Sequence, residues 1–364
     1  MDEFGFQHFT EKNRDAAAII DHRDRTWTRG NLWDLVHGLA RTFVASGLNP
    51  GDVVAIVAPN CAEYLAVCLA AFRAGLYVVP VNSHLALPEI AHLLADSGAR
   101  ALVVHSRLGE ARLARLRTHG ARMPASVSID AADGFTRLDE LVGRASGRLP
   151  PRPTGRLLPY TSATTGKPKA VRKPLASALE ATRKAVEWHR SLGIELERDN
   201  VHLCSSMLYH AAPLEGALIA LEMGHTLVLT DGADPALVLS VIEARRVTTL
   251  FMVPTMFVRL LKLPRHVRDQ HSTRSLRFVV HGGAPCGTEV KRAMIDWWGP
   301  IIWEAYGATE VQFRFGSPTL VNTHCTLARG WLVAISNELP ALVVVQDTPG
   351  ERFTPGRSVQ SPSR

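Results

Sequence analysis

Residues 160–171 read Y-T-S-A-T-T-G-K-P-K-A-V. Thr161, Ser162, Thr164 and Thr165 precede Gly166, two lysines follow, and Pro168 fixes the turn between Lys167 and Lys169. Hydroxyls and successive backbone N–H groups can wrap phosphate oxygens as an anion-binding nest. A lysine ammonium adds a point charge against the same oxygens. The segment is not a Walker A loop, which needs a glycine where Thr161 stands and Ser or Thr where Pro168 stands. Read from its residues alone, the stretch is either a phosphate cradle or an exposed Ser/Thr turn.

The elements around it must hold such a loop in place. Apolar positions at helical spacing (Leu32, Leu35, Val36, Leu39, Phe43) predict a helix over 29–46, with Thr28 as its N-cap. Residues 52–58 read as a buried strand, 61–74 as a helix apolar on several sides, 76–81 as a strand, 88–95 as a helix and 101–105 as a strand. After the Gly- and Pro-rich stretch 142–156 the alternation resumes. Helices are expected at 175–191 and 236–245, and strands at 226–229, 249–253, 278–280 and 301–303. Such alternation predicts an α/β fold with mostly parallel sheets covered on both faces. Three segments are expected: an N-terminal α/β sub-domain over 1–150, a second over 151–315, and a poorly ordered tail over 316–364.

With 364 residues, 46% hydrophobic and 21% charged, the chain is neither disordered nor a small disulfide scaffold. No stretch offers the ~18 uninterrupted apolar residues of a membrane span. No secretory leader is visible, so a cytoplasmic location is expected, with peripheral membrane contact left open. The five cysteines are unpatterned and read as reduced, buried thiols. The net charge of +7 is carried mainly by arginine, without the clustered run that nucleic-acid binding would need. Small anionic partners are the better expectation.

The 160–171 segment resembles the phosphate-loop signature of the adenylate-forming superfamily, which includes acyl-CoA synthetases; Ala163 and Ala170 stand where the family has glycine. Tyr306, Gly307, Ala308, Thr309 and Glu310 are similar to a second family motif. His281 to Pro285 (H-G-G-A-P) are similar to the adenine loop upstream of it. The stretch 208–210 (L-Y-H) falls at the family's acyl gate, and 27–104 resembles its N-terminal part. This resemblance implies a fatty-acid–CoA ligase. ATP would activate a carboxylic acid to an acyl-adenylate, and coenzyme A would then take the acyl group as a thioester.

The resemblance also implies roles. Thr161, Ser162, Ala163, Thr164, Thr165, Gly166 and Lys169 would cradle the β- and γ-phosphates. Thr309 would hold the α-phosphate, and Glu310 with Thr165 would hold Mg²⁺, a hard cation that prefers oxygen. Tyr306 and Gly307 would face the adenine, whose edge the backbone of Gly283, Ala284 and Pro285 would approach. His210 would border the acyl channel. His281 and the Trp297–Trp298 pair read as packing, while Met252, Met256 and Phe257 are either core or acyl-pocket residues.

The chain departs from the pattern after Glu310. Relatives would continue for roughly 200 residues, at the usual size of a domain, with a Thr-Gly-Asp motif and a C-terminal domain bearing a catalytic lysine. Here no Thr-Gly-Asp occurs, and the last lysine is Lys291. The expectation is a truncated chain with impaired turnover and a tail arising from a shifted reading frame. Two other readings stay open: a non-catalytic remnant that binds nucleotide or acyl chains, and a ligase for an aryl or sterol-type acid. The sequence does not fix an oligomeric state.

Overall fold

The computed structural model describes residues 4–142, 149–160, 168–175, 177–191, 193–197, 199–305, 331–332 and 345–346. In chain order the main elements are α1 (Phe6–Lys12), β1 (Ala17–Ile20), β2 (Thr26–Thr28), α2 (Arg29–Ala45), β3 (Val53–Val57), α3 (Ala62–Arg73), β4 (Tyr77–Val81), α4 (Leu87–Asp96), β5 (Ala99–Val104) and α5 (Glu110–Gly120). They continue with β6 (Ala125–Ser128), β7 (Thr136–Arg137), α6 (Leu138–Val142), β8 (Arg156–Leu157), α7 (Ala178–Ser191), β9 (Val201–Cys204), α8 (Ala211–Glu222) and β10 (Thr226–Leu229). The last are α9 (Pro235–Ala244), β11 (Thr249–Met252), α10 (Pro254–Leu261), α11 (Arg265–Asp269), β12 (Phe278–Gly282), α12 (Thr288–Trp298) and β13 (Ile302–Ala305). Two short strands, β14 (Trp331–Leu332) and β15 (Val345–Gln346), pair antiparallel in the tail.

One sheet has the order β7-β6-β5-β3-β4-β8 and is parallel throughout. The other has the order β13-β12-β11-β9-β10-β1-β2, parallel except for the β1–β2 edge. Side chains alternate across each strand. In β3, Val54 and Ile56 enter the core between the sheets, while Val53, Ala55 and Val57 face Ile90, Leu94 and Leu113 of α4 and α5. In β10, Leu227 and Leu229 share the central core with α2, α3 and α8, while Val228 faces α9, α10 and α12. The result is five layers, helix–sheet–helix–sheet–helix. The central position of α3 explains why nine of its twelve residues are buried and why its sequence is apolar on several sides.

The helix expected over 29–46 is α2, and Thr28 caps it by accepting the Asn31 N–H at 3.1 Å. The expected alternation of strands and helices is present with shifts of one to three residues at the ends. The chain does not fill one sheet before starting the other. β1 and β2 join the sheet built from later residues, and β8 joins the earlier one. Strand β9 escaped the sequence reading because His202 interrupts it. Its Nδ1 pairs with Thr249 Oγ1 on neighbouring β11 at 2.8 Å, which satisfies the polar ring inside the sheet.

Candidate active site

Because the strands of each sheet run parallel, their C-terminal ends lie along one edge. In the larger sheet the ends of its parallel strands are Ile20, Cys204, Leu229, Met252, Gly282 and Ala305. Ligands of open α/β sheets bind beyond such edges. Three contacts show that the C-terminal edges of the two sheets face each other. Asn60, just after β3 and only 1% exposed, donates through Nδ2 to Ser206 O at 2.9 Å and Thr230 O at 3.3 Å. Its Oδ1 accepts the Leu208 N–H at 2.8 Å. Arg107, after β5, pairs with Asp231, after β10. His84, after β4, lies with its ring 6.2 Å from Tyr209.

His210 ends the loop that Asn60 clamps. It is the N-cap of α8 and is exposed, and its ring is 4.6 Å from Tyr209. Partial burial holds its imidazole below the ordinary value, so it is neutral at pH 7. Gly283, Ala284 and Pro285 leave β12 at the same edge and are all exposed. Gly283 has φ +79°, a conformation that glycine adopts freely and a side chain would strain. Gly282 must also lack a Cβ, which would stand 2.5 Å from Ala305 O on β13. Cys286, next in the loop, is buried and its thiol is pushed up to about 11, so it is no nucleophile at neutral pH.

The residues that flank the hydroxyl-rich stretch follow β8, the edge strand of the smaller sheet. Tyr160 and Ala170 form an antiparallel bridge, and the Val171 N–H donates to Pro159 O at 3.0 Å. Tyr160 donates its hydroxyl to Asp96 Oδ2 at 2.7 Å, and Tyr77 donates its hydroxyl to Lys173 O at 2.6 Å. Residues 161–167 are therefore bracketed by a pinned base just after β8, with exposed Lys169 on its returning arm.

Of the residues expected at the site, His210, Gly283, Ala284 and Pro285 come to one edge, and Lys169 sits at the loop base. Thr161, Ser162, Ala163, Thr164, Thr165, Gly166, Tyr306, Gly307, Thr309 and Glu310 lie outside the described residues. So do both expected Mg²⁺ ligands, and among the described residues no cluster of three or more His, Cys, Asp or Glu could hold a metal. Among the described residues, no helix is long and apolar enough to cross a membrane. Met252, Met256 and Phe257 pack in the core behind the larger sheet, together with Trp298. Sequence reasoning missed Asn60 and His84. Their signal was position alone, each in a loop that follows an apolar strand.

A cleft of about 1350 Å³ lies between α2, α3, α7 and α8. It touches α8 through Ala211, Glu215 and Glu222 but includes none of Asn60, His210 or residues 283–285. Volume is therefore a poorer guide here than the converging strand ends.

The chain is similar to known proteins. A family model described as AMP-binding enzyme matches residues 6–338. The feruloyl-CoA synthase of Amycolatopsis sp is 34% identical over 302 residues, covering 81% of this chain and 56% of that protein. The 4-coumarate–CoA ligase 5 of Oryza sativa subsp. japonica is 26% identical, covering 85% and 57%. The solved amide bond synthetase McbA of Marinactinospora thermotolerans superposes with a TM-score of 0.71 at 26% identity, covering 85% of this chain and 60% of that one. The chain thus spans somewhat over half the length of the relatives it matches.

Proposed function

Because the chain belongs to the AMP-binding enzyme family, we propose that it carries the nucleotide- and acid-binding part of an acid–CoA ligase. In that reaction a carboxylate oxygen attacks the α-phosphorus of ATP and pyrophosphate leaves. The coenzyme A sulfur then attacks the acyl carbon, and AMP leaves. The first step brings two anions together, so the protein must align them and stabilise charge on the phosphates.

The observation that carries this reading is the convergence of His210, residues 283–285 and the end of β13 on one sheet edge. The exposed backbone after Gly282 offers peptide groups to the edge of a flat base. Ser162, Thr164, Thr165 and Lys169 would wrap the β- and γ-phosphates, and Thr309 would hold the α-phosphate. Tyr306 would stack on the base. Glu310 and Thr165 would hold Mg²⁺, which supplies charge neutralisation on the phosphates. His210 would border the acid. An aromatic acid is favoured over a fatty one, because two relatives are named for ferulate and 4-coumarate. The ring cluster of His84, Tyr209 and His210 gives this edge a flat-sided lining suited to such an acid.

Isothermal titration with ATP and Mg²⁺ tests the nucleotide assignment. Saturable binding with a Kd at or below about 1 mM, the usual upper range for an enzyme substrate, is expected. Absence of saturation there refutes the reading. Competition by feruloyl-adenylate against dodecanoyl-adenylate analogues then decides the acid class.

A further inference from the structure

Lys291 is 2% exposed, an unusual place for an ammonium group. It sits on α12, whose other buried residues are Met294 and Trp298. Its Nζ donates to Glu304 Oε2 on β13 at 2.8 Å. Stripping water from a cation is costly unless a well-placed opposite charge offsets it. A helix that had only to cover the sheet would be served as well by a methionine at this position.

The location of the pair suggests what it does. Glu304 stands opposite His281 in the β12–β13 register, and the next pair, Gly282 and Ala305, is the last. His281 Nε2 lies 3.9 Å from Glu304 Oε2. The His281 ring is fully buried against Phe257 at 5.3 Å, and neither ring nitrogen has a hydrogen-bond partner. Burial pushes this imidazole down to about 4, so it is neutral and cannot replace the lysine as the charge facing Glu304. The Lys291–Glu304 bond therefore ties α12 to β13 one residue pair before β12 and β13 stop pairing. Beyond that pair, β12 releases residues 283–285 and β13 releases the segment that begins at Tyr306.

We infer that Lys291 is a positioning residue, which acts through Glu304 to fix the exits of β12 and β13 and so the backbone of residues 283–285 that receives the nucleotide base. This rests on the nucleotide reading given above.

Three variants test it: Lys291→Met, the double apolar replacement Lys291→Met with Glu304→Met, and Lys291→Arg. Each is measured without ligand by amide hydrogen exchange and urea denaturation, and then by titration with ATP and Mg²⁺. The double variant exchanges a buried ion pair for apolar packing, so its denaturation midpoint should match or exceed that of the unaltered protein. Its amides at 282–286 and 303–305 should nonetheless exchange at least 10-fold faster, with β9 and β10 unchanged. Its Kd for ATP should rise at least 10-fold. Lys291→Arg should return exchange and Kd to within about threefold of the unaltered values.

Unchanged exchange at 282–286 in a folded double variant overturns the proposal. So does ATP affinity that simply follows the denaturation midpoint across the three variants. Failure of both apolar variants to fold also overturns it, because Lys291 would then serve the fold as a whole. If the unaltered protein binds no ATP, the nucleotide reading falls, and the exchange measurement still decides whether Lys291 sets the strand exits.

Discussion

Replacing Asn60 with leucine should unlock the joint between the two sheets. The volume is nearly conserved, so the change removes hydrogen bonds without leaving a large cavity. Asn60 satisfies three backbone groups: the Leu208 N–H at 2.8 Å, Ser206 O at 2.9 Å and Thr230 O at 3.3 Å. The Leu208 and Thr230 bonds are buried, whereas the Ser206 bond is partly open to solvent. A buried donor or acceptor left unpaired costs about 1–3 kcal/mol. Two such groups give about 2–6 kcal/mol, a large share of the roughly 5–15 kcal/mol that holds a typical domain together. Urea denaturation of Asn60→Leu against the unaltered protein measures this loss. Hydrogen exchange should show the effect concentrated at 205–210, the loop that carries Tyr209 and His210. Asn60→Asp should be no remedy, since it keeps the acceptor for Leu208 but places a carboxylate against two carbonyls. A loss below about 1 kcal/mol, with protection of 205–210 intact, would refute the view that this one amide clamps the 205–210 loop.

The remaining expectations concern acid sensitivity, strand spacing and the outer rim. Burial pushes His225 and His281 each down to about 4, so both favour the fold when neutral. Their contribution is complete above the unfolded value near 6.5 and is lost as pH falls toward 4, at up to about 2 kcal/mol each by pH 5. The denaturation midpoint should therefore drop between pH 7 and 5 and stay level between 7 and 8; a flat profile down to pH 5 contradicts this. Gly282→Ala places a methyl 2.5 Å from Ala305 O and should cost about 1–3 kcal/mol while loosening residues 283–285. Wild-type stability and ATP affinity in that variant would show that β12 and β13 can separate freely. Arg107→Ala breaks a pair in which both side chains are 36% exposed and should cost less than about 1 kcal/mol. A larger loss on denaturation would mean that this contact, and not Asn60 alone, joins the two edges.

Much of this architecture could be read from residue order. The alternation of apolar strands with helices at 29–45, 62–73 and 235–244 fixes an α/β layering, because strands apolar on both faces need cover on both sides. The hydroxyls of 161–165 are compatible with an anion cradle through local chemistry, while base recognition by the Gly-Gly-Ala-Pro turn at 282–285 is an expectation that comes only from the family resemblance. The tertiary structure decided what no local pattern encodes. Nothing near residue 20 says that β1 will pair with β10 about 200 residues later. Nothing around Asn60 marks it as the partner of Ser206, Leu208 and Thr230, since an asparagine after a strand suits any turn. Nothing around Lys291 marks it as a buried cation until Glu304 is seen 2.8 Å away. Sequence periodicity reports which face of an element is buried, whereas the identity of the group that meets it depends on long-range packing. The site is therefore written locally, in its loops, but assembled globally, where the two sheets bring their C-terminal ends together.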